Sequence, residues 1–192
     1  VLSMLPNFKY NDKVVYISPI VSKTDEKNIK DACFETLSHP KLEKDNFTDM
    51  IDKDHILYVE EKVDRDFVLK AACKQLVNEG YVTKEFYNDV LKRENIEPTA
   101  IGNGVAIPHG IPENVVKPKV YVISLKHPLN WGGKMVNVMF LLALNFNNIK
   151  TTKAFFSDFA RIVGSEEKLE KFKKLDNVQK MEQNLKEELH WE

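Results

Sequence analysis

The residues of this chain best suited to covalent chemistry lie in one run, Pro98-Thr99-Ala100-Ile101-Gly102-Asn103-Gly104-Val105-Ala106-Ile107-Pro108-His109-Gly110. His109 is its reactive group. The ordinary pKa of imidazole leaves much of it unprotonated at pH 7, and a neutral ring nitrogen is a competent nucleophile. Pro108 fixes the chain just before it, and Gly110 leaves the ring uncrowded on the other side. Gly102 and Gly104 bracket Asn103, so the backbone can turn tightly there and present amide N–H groups, a natural seat for an anion. Sixteen residues upstream of His109, Arg93 ends a helical pattern and is followed by Glu94. A planar guanidinium fork suits a phosphoryl group held on His109. Both features have plainer readings as well: an arginine near a helix C-terminus complements the helix dipole, and a Pro-His-Gly triplet also occurs in ordinary loops.

The elements that must position these residues alternate between two periods. Val14-Val15-Tyr16-Ile17-Ser18-Pro19 is rich in β-branched residues and reads as a buried strand. Thr24 can cap a following helix with Ile29, Ala32, Cys33 and Leu37 on one face, stopped by Pro40. Residues 41–53 are polar without a sustained period and read as a linker. Beyond them His55 to Val59 is a short strand, and Asp64 opens a helix with Val68, Ala72, Cys73 and Leu76 inward. Gly80 supplies its left-handed stop. Thr83 is expected to cap a second helix bearing Phe86, Tyr87, Val90 and Leu91, which runs to about Arg93 or Glu94. Val120–Leu125 and Val136–Leu144 are expected strands, separated by a turn-rich stretch from Lys126 to Lys134. Helices follow at Thr152–Val163, from Ser165 to Leu175, and from Asn177 onward. Helices alternating with strands predict an α/β sandwich, a sheet with helices on both faces.

Composition narrows the function classes. The 192 residues are 43% hydrophobic and 30% charged, which calls for a packed core under a charged surface. With 28 Lys plus Arg against 29 Asp plus Glu, the net charge is −1. That balance disfavours direct nucleic-acid binding by this segment, because no basic footprint for phosphates exists. The longest apolar run is too short to span a bilayer, so membrane insertion is not expected. Cys33 and Cys73 sit in apolar helical patterns and His39, His55, His127 and His190 lack companions at metal-ligand spacing, so neither a disulfide, a metal site nor a cofactor is expected. Trp131, beside Gly132-Gly133, is a candidate to cover the mouth of the site or a plain packing residue. A reducing cytoplasm suits such a chain. The absence of an initiator Met suggests a piece cut from something longer.

Taken together, Arg93-Glu94, Pro98-Thr99 and Ile101 to Gly110 resemble the signature of the mannitol- and fructose-type enzyme IIA domains of the sugar phosphotransferase system. The likeness continues through Val122–Leu125, Pro128-Leu129-Asn130-Trp131 and Val136–Leu142, and it spans about residues 52–190. The resemblance implies an α/β sandwich around a central mixed sheet. It implies that His109 accepts a phosphoryl group through Nε2, with Nδ1–H held by a backbone carbonyl, and that Arg93 stabilises the phosphohistidine. Thr99, Gly102, Asn103, Gly104 and Thr152 would form the phosphate neighbourhood. Family members that pass phosphate to a transporter usually carry a second histidine at the start of the helix ending in Phe159-Ala160-Arg161-Ile162. Here that position falls near Thr152.

The first fifty residues lie outside this likeness, and the strand-then-helix pattern resembles the tail of an enzyme IIB-like domain, as found in phosphotransferase-controlled transcription regulators and antiterminators. The expected division is therefore 1–50, a IIB-like tail plus linker, and 51–192, a type-2 enzyme IIA domain. The implied partner is the histidine-containing phosphocarrier protein, with an enzyme IIB domain as a possible second. Three readings follow: a phosphoryl-accepting sensor in a sugar-responsive regulator, a catalytic transport component, and a degenerate IIA fold kept for docking.

Overall fold

The computed structural model describes residues 2–3, 15–16, 50–145 and 149–188, with the side chains of 2–3, 15–16 and 149–154 excepted. The chain divides into two units, residues 1–43 and 44–192. In the first, β1 (Leu2–Ser3) pairs in parallel with β2 (Val15–Tyr16). β2 falls within the strand expected at Val14–Pro19. The remainder of that strand, the helix expected after Thr24 and Cys33 with it, lie outside the described residues.

The second unit runs β3 (Ile56–Val59), α1 (Arg65–Asn78), α2 (Phe86–Ile96), β4 (Ala100–Gly102), β5 (Val105–Ala106), β6 (Lys119–Trp131), β7 (Lys134–Ala143), α3 (Ile149–Val163), α4 (Glu166–Lys173) and α5 (Val178–Glu187). Its sheet has the order β3-β6-β7-β5-β4. The β6–β7 and β4–β5 pairs are antiparallel, whereas β3 on β6 and β5 on β7 are parallel, so the sheet is mixed. β6 and β7 are apolar on both faces because both faces are covered. Tyr121, Ile123, Leu125, Met139, Leu141 and Ala143 pack with α1 and α2, while Val120, Val122, Val138, Phe140 and Leu142 pack with α3, α4 and α5. This is the α/β sandwich that the element pattern predicts, with the central mixed sheet that the family resemblance implies.

Local signals set several element ends. The Asp64 carboxylate accepts from Phe67 N–H at 2.7 Å, Ser165 Oγ from Lys168 N–H at 3.4 Å, and Asn177 Oδ1 from Lys180 N–H at 3.1 Å. Each satisfies an amide that the first helical turn leaves without a partner. Gly80 follows α1 at φ +75°.

Three expectations are corrected. Thr83 is not a side-chain cap: its hydroxyl donates to Asn114 Oδ1 at 2.8 Å, and Glu85 holds the cap position of α2 without a side-chain bond. α2 also continues to Ile96, a few residues beyond Arg93. The stretch from Lys126 to Trp131 is strand rather than turn, and the reversal is confined to Gly132 and Gly133, at φ +60° and +90°. Pro128 is accommodated because the β6–β7 register shifts between Ser124 and Leu129, where no ladder donor is asked of it.

Candidate active site

His109 stands at the end of a line of chain that starts in β5. Val105 is opposite Val138 and Ala106 opposite Met139, and beyond the strand His109 is opposite Leu142, in the same register. Pro108 cannot donate, but its carbonyl accepts from Leu142 N–H at 2.9 Å and keeps the line attached. The imidazole is half-buried and its Nδ1 lies 2.9 Å from Ile107 O. A carbonyl oxygen can only accept, so Nδ1 carries the proton and Nε2 keeps its lone pair. Among the described residues Nε2 has no hydrogen-bond partner.

The reason for glycine at position 110 is packing against α2. A β-carbon there would lie 2.5 Å from Phe86 Cε2, and that ring is fully buried. Phe86 thus abuts the residue next to His109. Arg93 lies seven residues further along α2, two turns on and on the same face. Its Nη1 donates to Glu97 O at 2.8 Å.

Thr99 is brought close to this centre. Ile107, whose carbonyl holds His109, donates its own N–H to Thr99 O at 3.1 Å. Thr99 is buried, with its N–H donated to Glu94 Oε2 at 3.1 Å and its hydroxyl to Glu94 Oε1. Its donors are therefore spent on a carboxylate and not held out to an anion.

Gly102, Asn103 and Gly104 are set apart from His109. They form the β4–β5 reversal, with φ of +114°, +49° and +70°. Positive φ at Asn103 and Gly104 is what a tight Asn-Gly hairpin demands. Along the β5–β7 register Val105 and His109 are separated by roughly 13 Å at the usual strand rise, and the turn lies beyond Val105. The turn is instead docked on the far structure: Asn103 O accepts from Lys173 Nζ at 2.8 Å, and Gly104 O from Asn137 and Val138 N–H at 2.8 and 3.0 Å. Thr152 lies in the first turn of α3, which begins after β7 ends at Ala143. The side chain of Thr152 is outside the described residues.

Glu94, which has no role of its own in the sequence pattern, is buried next to this centre. It is 1% exposed and accepts from Thr99 twice and from Trp131 Nε1 at 2.7 Å. Trp131 accordingly covers no mouth: it is fully buried, with the Arg65 guanidinium 5.7 Å above its ring. A charged residue next to Arg93 in a helix otherwise solvated at that end was the available signal.

The remaining described candidates have no tie to this centre. Cys73 is buried, and burial pushes its thiol up to about 12, which removes it as a nucleophile at neutral pH. His127 is exposed on β6. His55 is buried, with Nδ1 2.7 Å from Asp52 Oδ1 and Nε2 2.7 Å from Glu79 Oε2. Burial would raise Asp52, but the Lys119 ammonium at 2.6 Å and His55 outweigh it and hold the carboxyl at about 2. His39 and His190 lie outside the described residues. Among the described residues no three His, Cys, Asp or Glu side chains converge to hold a metal ion, and no helix is long and apolar enough to cross a membrane.

Residues 49–188 match the family described as "Phosphoenolpyruvate-dependent sugar phosphotransferase system, EIIA 2". The chain belongs to this enzyme IIA family. Among curated relatives, it is 25% identical over 167 residues to the transcriptional regulator ManR of Bacillus subtilis, covering 85% of this chain and 26% of that protein. It is 33% identical over 82 residues to the mannitol-specific phosphotransferase enzyme IIA component of Halalkalibacterium halodurans, covering 41% of this chain and 57% of that one. The chain thus spans only part of the length of these relatives. Its fold is that of the solved Escherichia coli complex of mannitol enzyme IIA and phosphorylated enzyme IIB, with TM-score 0.61 and 21% identity over 71% of this chain and 97% of that one. As an enzyme IIA domain of type 2, the chain carries Arg93 on α2, Thr99 just before β4 and His109 beyond β5.

Proposed function

We propose that this IIA domain accepts a phosphoryl group on Nε2 of His109 from the phosphohistidine of the histidine-containing phosphocarrier protein. The observation that carries the reading is the Nδ1–H bond to Ile107 O, 2.9 Å long, which fixes the tautomer with the Nε2 lone pair free. In the transfer, Nε2 attacks phosphorus as the P–N bond to the donor imidazole breaks. The donor ring, protonated on its other nitrogen, leaves neutral, and Nδ1 of His109 keeps its proton and the ring takes up the positive charge, so no proton need move. Little covalent work falls to the protein, and catalysis rests on positioning and charge neutralisation. Arg93 supplies the second: with Nη1 on Glu97 O, the Nε and Nη2 edge of the fork is left for phosphoryl oxygens. No metal or organic cofactor enters this step.

We further propose that the domain serves as a sensor in a sugar-responsive transcription regulator of the cytoplasm, not as a transport component. Support comes from the regulator relative, which is matched over most of this chain, and from threonine at position 152 where transport members usually carry histidine. An enzyme IIB domain is the candidate second partner, and nucleic acid is left to other parts of the polypeptide. Incubation with phosphoenolpyruvate, enzyme I and the phosphocarrier should give an acid-labile, base-stable phosphate, absent in His109→Ala. Label at full level in that variant would refute the assignment. Rapid onward transfer to a purified mannitol- or fructose-type IIB cysteine would favour the transport reading instead.

A further inference from the structure

Three links of hydrogen bonding, the first of them double, run from a buried carboxylate to the imidazole. Glu94, 1% exposed, accepts from both the amide and the hydroxyl of Thr99. Thr99 O accepts from Ile107 N–H at 3.1 Å, and Ile107 O accepts from His109 Nδ1–H at 2.9 Å. Oε2 of the carboxylate also accepts from Trp131 Nε1 at 2.7 Å, at the end of β6. Gly132 then sits so close to Pro98 that a β-carbon would lie 2.2 Å from the proline ring. The same carboxylate therefore closes the 95–99 segment, and within that segment Glu97 O takes the Arg93 Nη1 donor.

We propose that Glu94 is a positioning residue for the phosphoryl transfer: it sets the tautomer and aim of His109 through Thr99 and Ile107, and the placement of Arg93 through the 95–99 segment. It touches neither the reacting nitrogen nor phosphate. A buried carboxylate is a costly group to keep in a core, and both of its oxygens accept from donors of this segment and of β6. Truncation would leave Thr99 and Trp131 donors unpaired and let the Thr99–Ile107 pairing drift. Misplacement of a reacting group by about an ångström costs roughly a hundredfold in rate.

The chemistry makes one substitution diagnostic. In Glu94→Gln the amide oxygen can take the Thr99 and Trp131 N–H donors while the amide nitrogen donates to the Thr99 hydroxyl, whose oxygen also accepts. Geometry is kept and charge is lost. Glu94→Ala loses both.

The inference rests on the phosphoryl-acceptor reading, so its first readout is independent of phosphate. Imidazole nitrogen-15 NMR of the full chain should give a His109 spectrum dominated by the Nδ1–H tautomer in the wild type and in Glu94→Gln, and an averaged tautomer in Glu94→Ala. Phosphate uptake from the phosphocarrier should be near wild type in Glu94→Gln and slower by roughly a hundredfold in Glu94→Ala. If Glu94→Ala does not fold, Thr99→Val, which strips Glu94 Oε1 of its partner but keeps both backbone links, takes its place, with a smaller tautomer shift in the same direction expected. A variant with lower stability but an unchanged tautomer and unchanged uptake overturns the proposal, and so does a Glu94→Gln as impaired as Glu94→Ala. A wild type with the fixed tautomer that takes no phosphate refutes the acceptor reading instead, and leaves the NMR arm to decide the role of Glu94.

Discussion

The ring of Phe86 occupies the space that a side chain at position 110 would need, with Cε2 2.5 Å from where a β-carbon would stand. Phe86 is fully buried in α2 and cannot swing away cheaply. Gly110→Ala should therefore destabilise the domain by about 1–3 kcal/mol through overpacking, read as a lower midpoint in denaturant. Trimming the ring in a Phe86→Leu background should recover much of that loss. Additive losses in the double variant would mean the clash is not where the strain lies.

Regiochemistry follows from the Ile107 contact. Because Nδ1 is engaged with a carbonyl 2.9 Å away, phosphate should appear on Nε2 alone. Phosphorus–nitrogen couplings in nitrogen-15-labelled phosphoprotein distinguish the two isomers. A substantial Nδ1-phosphate fraction would contradict the reading.

Arg93→Lys keeps the charge but not the fork. It should slow phosphate uptake, since a point ammonium cannot engage a backbone carbonyl and two phosphoryl oxygens in one plane. Stability should fall by less than about 1 kcal/mol, the usual range for a cation at a helix C-terminus. Normal uptake with a large loss of stability would make the residue structural.

The acid limb of stability should report Asp52. Its carboxyl is held at about 2 in the fold, below the value of about 3.9 for an unfolded aspartate. A depressed folded pKa stabilises above the unfolded value and loses that stabilisation as pH falls, here from about pH 5 down through about 2. Side-chain exposure of 38% means solvent screens part of it. Asp52→Asn should flatten the stability profile between those pH values, and an unchanged slope would assign the acid sensitivity to other groups.

Gly104→Ala separates the hairpin from the site. A side chain at φ +70° is strained by about 1–2 kcal/mol, and this one would press on Asn137 Oδ1 at 3.0 Å. Thermal unfolding should register that loss. If phosphate uptake collapsed while the fold persisted, the turn would belong to the phosphate site after all.

Much of this was legible in the sequence because it depends on neighbours a few residues apart. Asp64, Ser165 and Asn177 cap their helices as their types foretell, and the double-faced apolar runs of β6 and β7 mark buried strands. The Arg93 to Gly110 spacing likewise points to the family that residues 49–188 match. What could not be read depends on partners far along the chain. Thr83 has the composition of a cap, but Asn114 competes successfully for its hydroxyl. Lys126-His127-Pro128 has turn composition, yet pairing in the β6–β7 ladder carries the strand past it. The glycines around Asn103 have the chemistry of an anion seat, but only strand register reveals their distance from His109. Glu94 gave no periodic signal, because its partners Thr99 and Trp131 come from the loop before β4 and the end of β6.

The unequal connectivity of the sheet has a kinetic consequence. β6 and β7 are joined through Gly132-Gly133 and pair over most of their lengths, so they close a short loop with many contacts. The parallel partners β3 and β5 must find this ribbon from far along the chain, after paying a larger loop-closure entropy. Folding should thus nucleate on the β6–β7 ribbon. Weakening its interior, as in Phe140→Leu, should mainly slow refolding, whereas Leu57→Ala in the outer parallel strand should mainly accelerate unfolding. The His109 line, attached through β5, would then be among the last parts to assemble and the first to open.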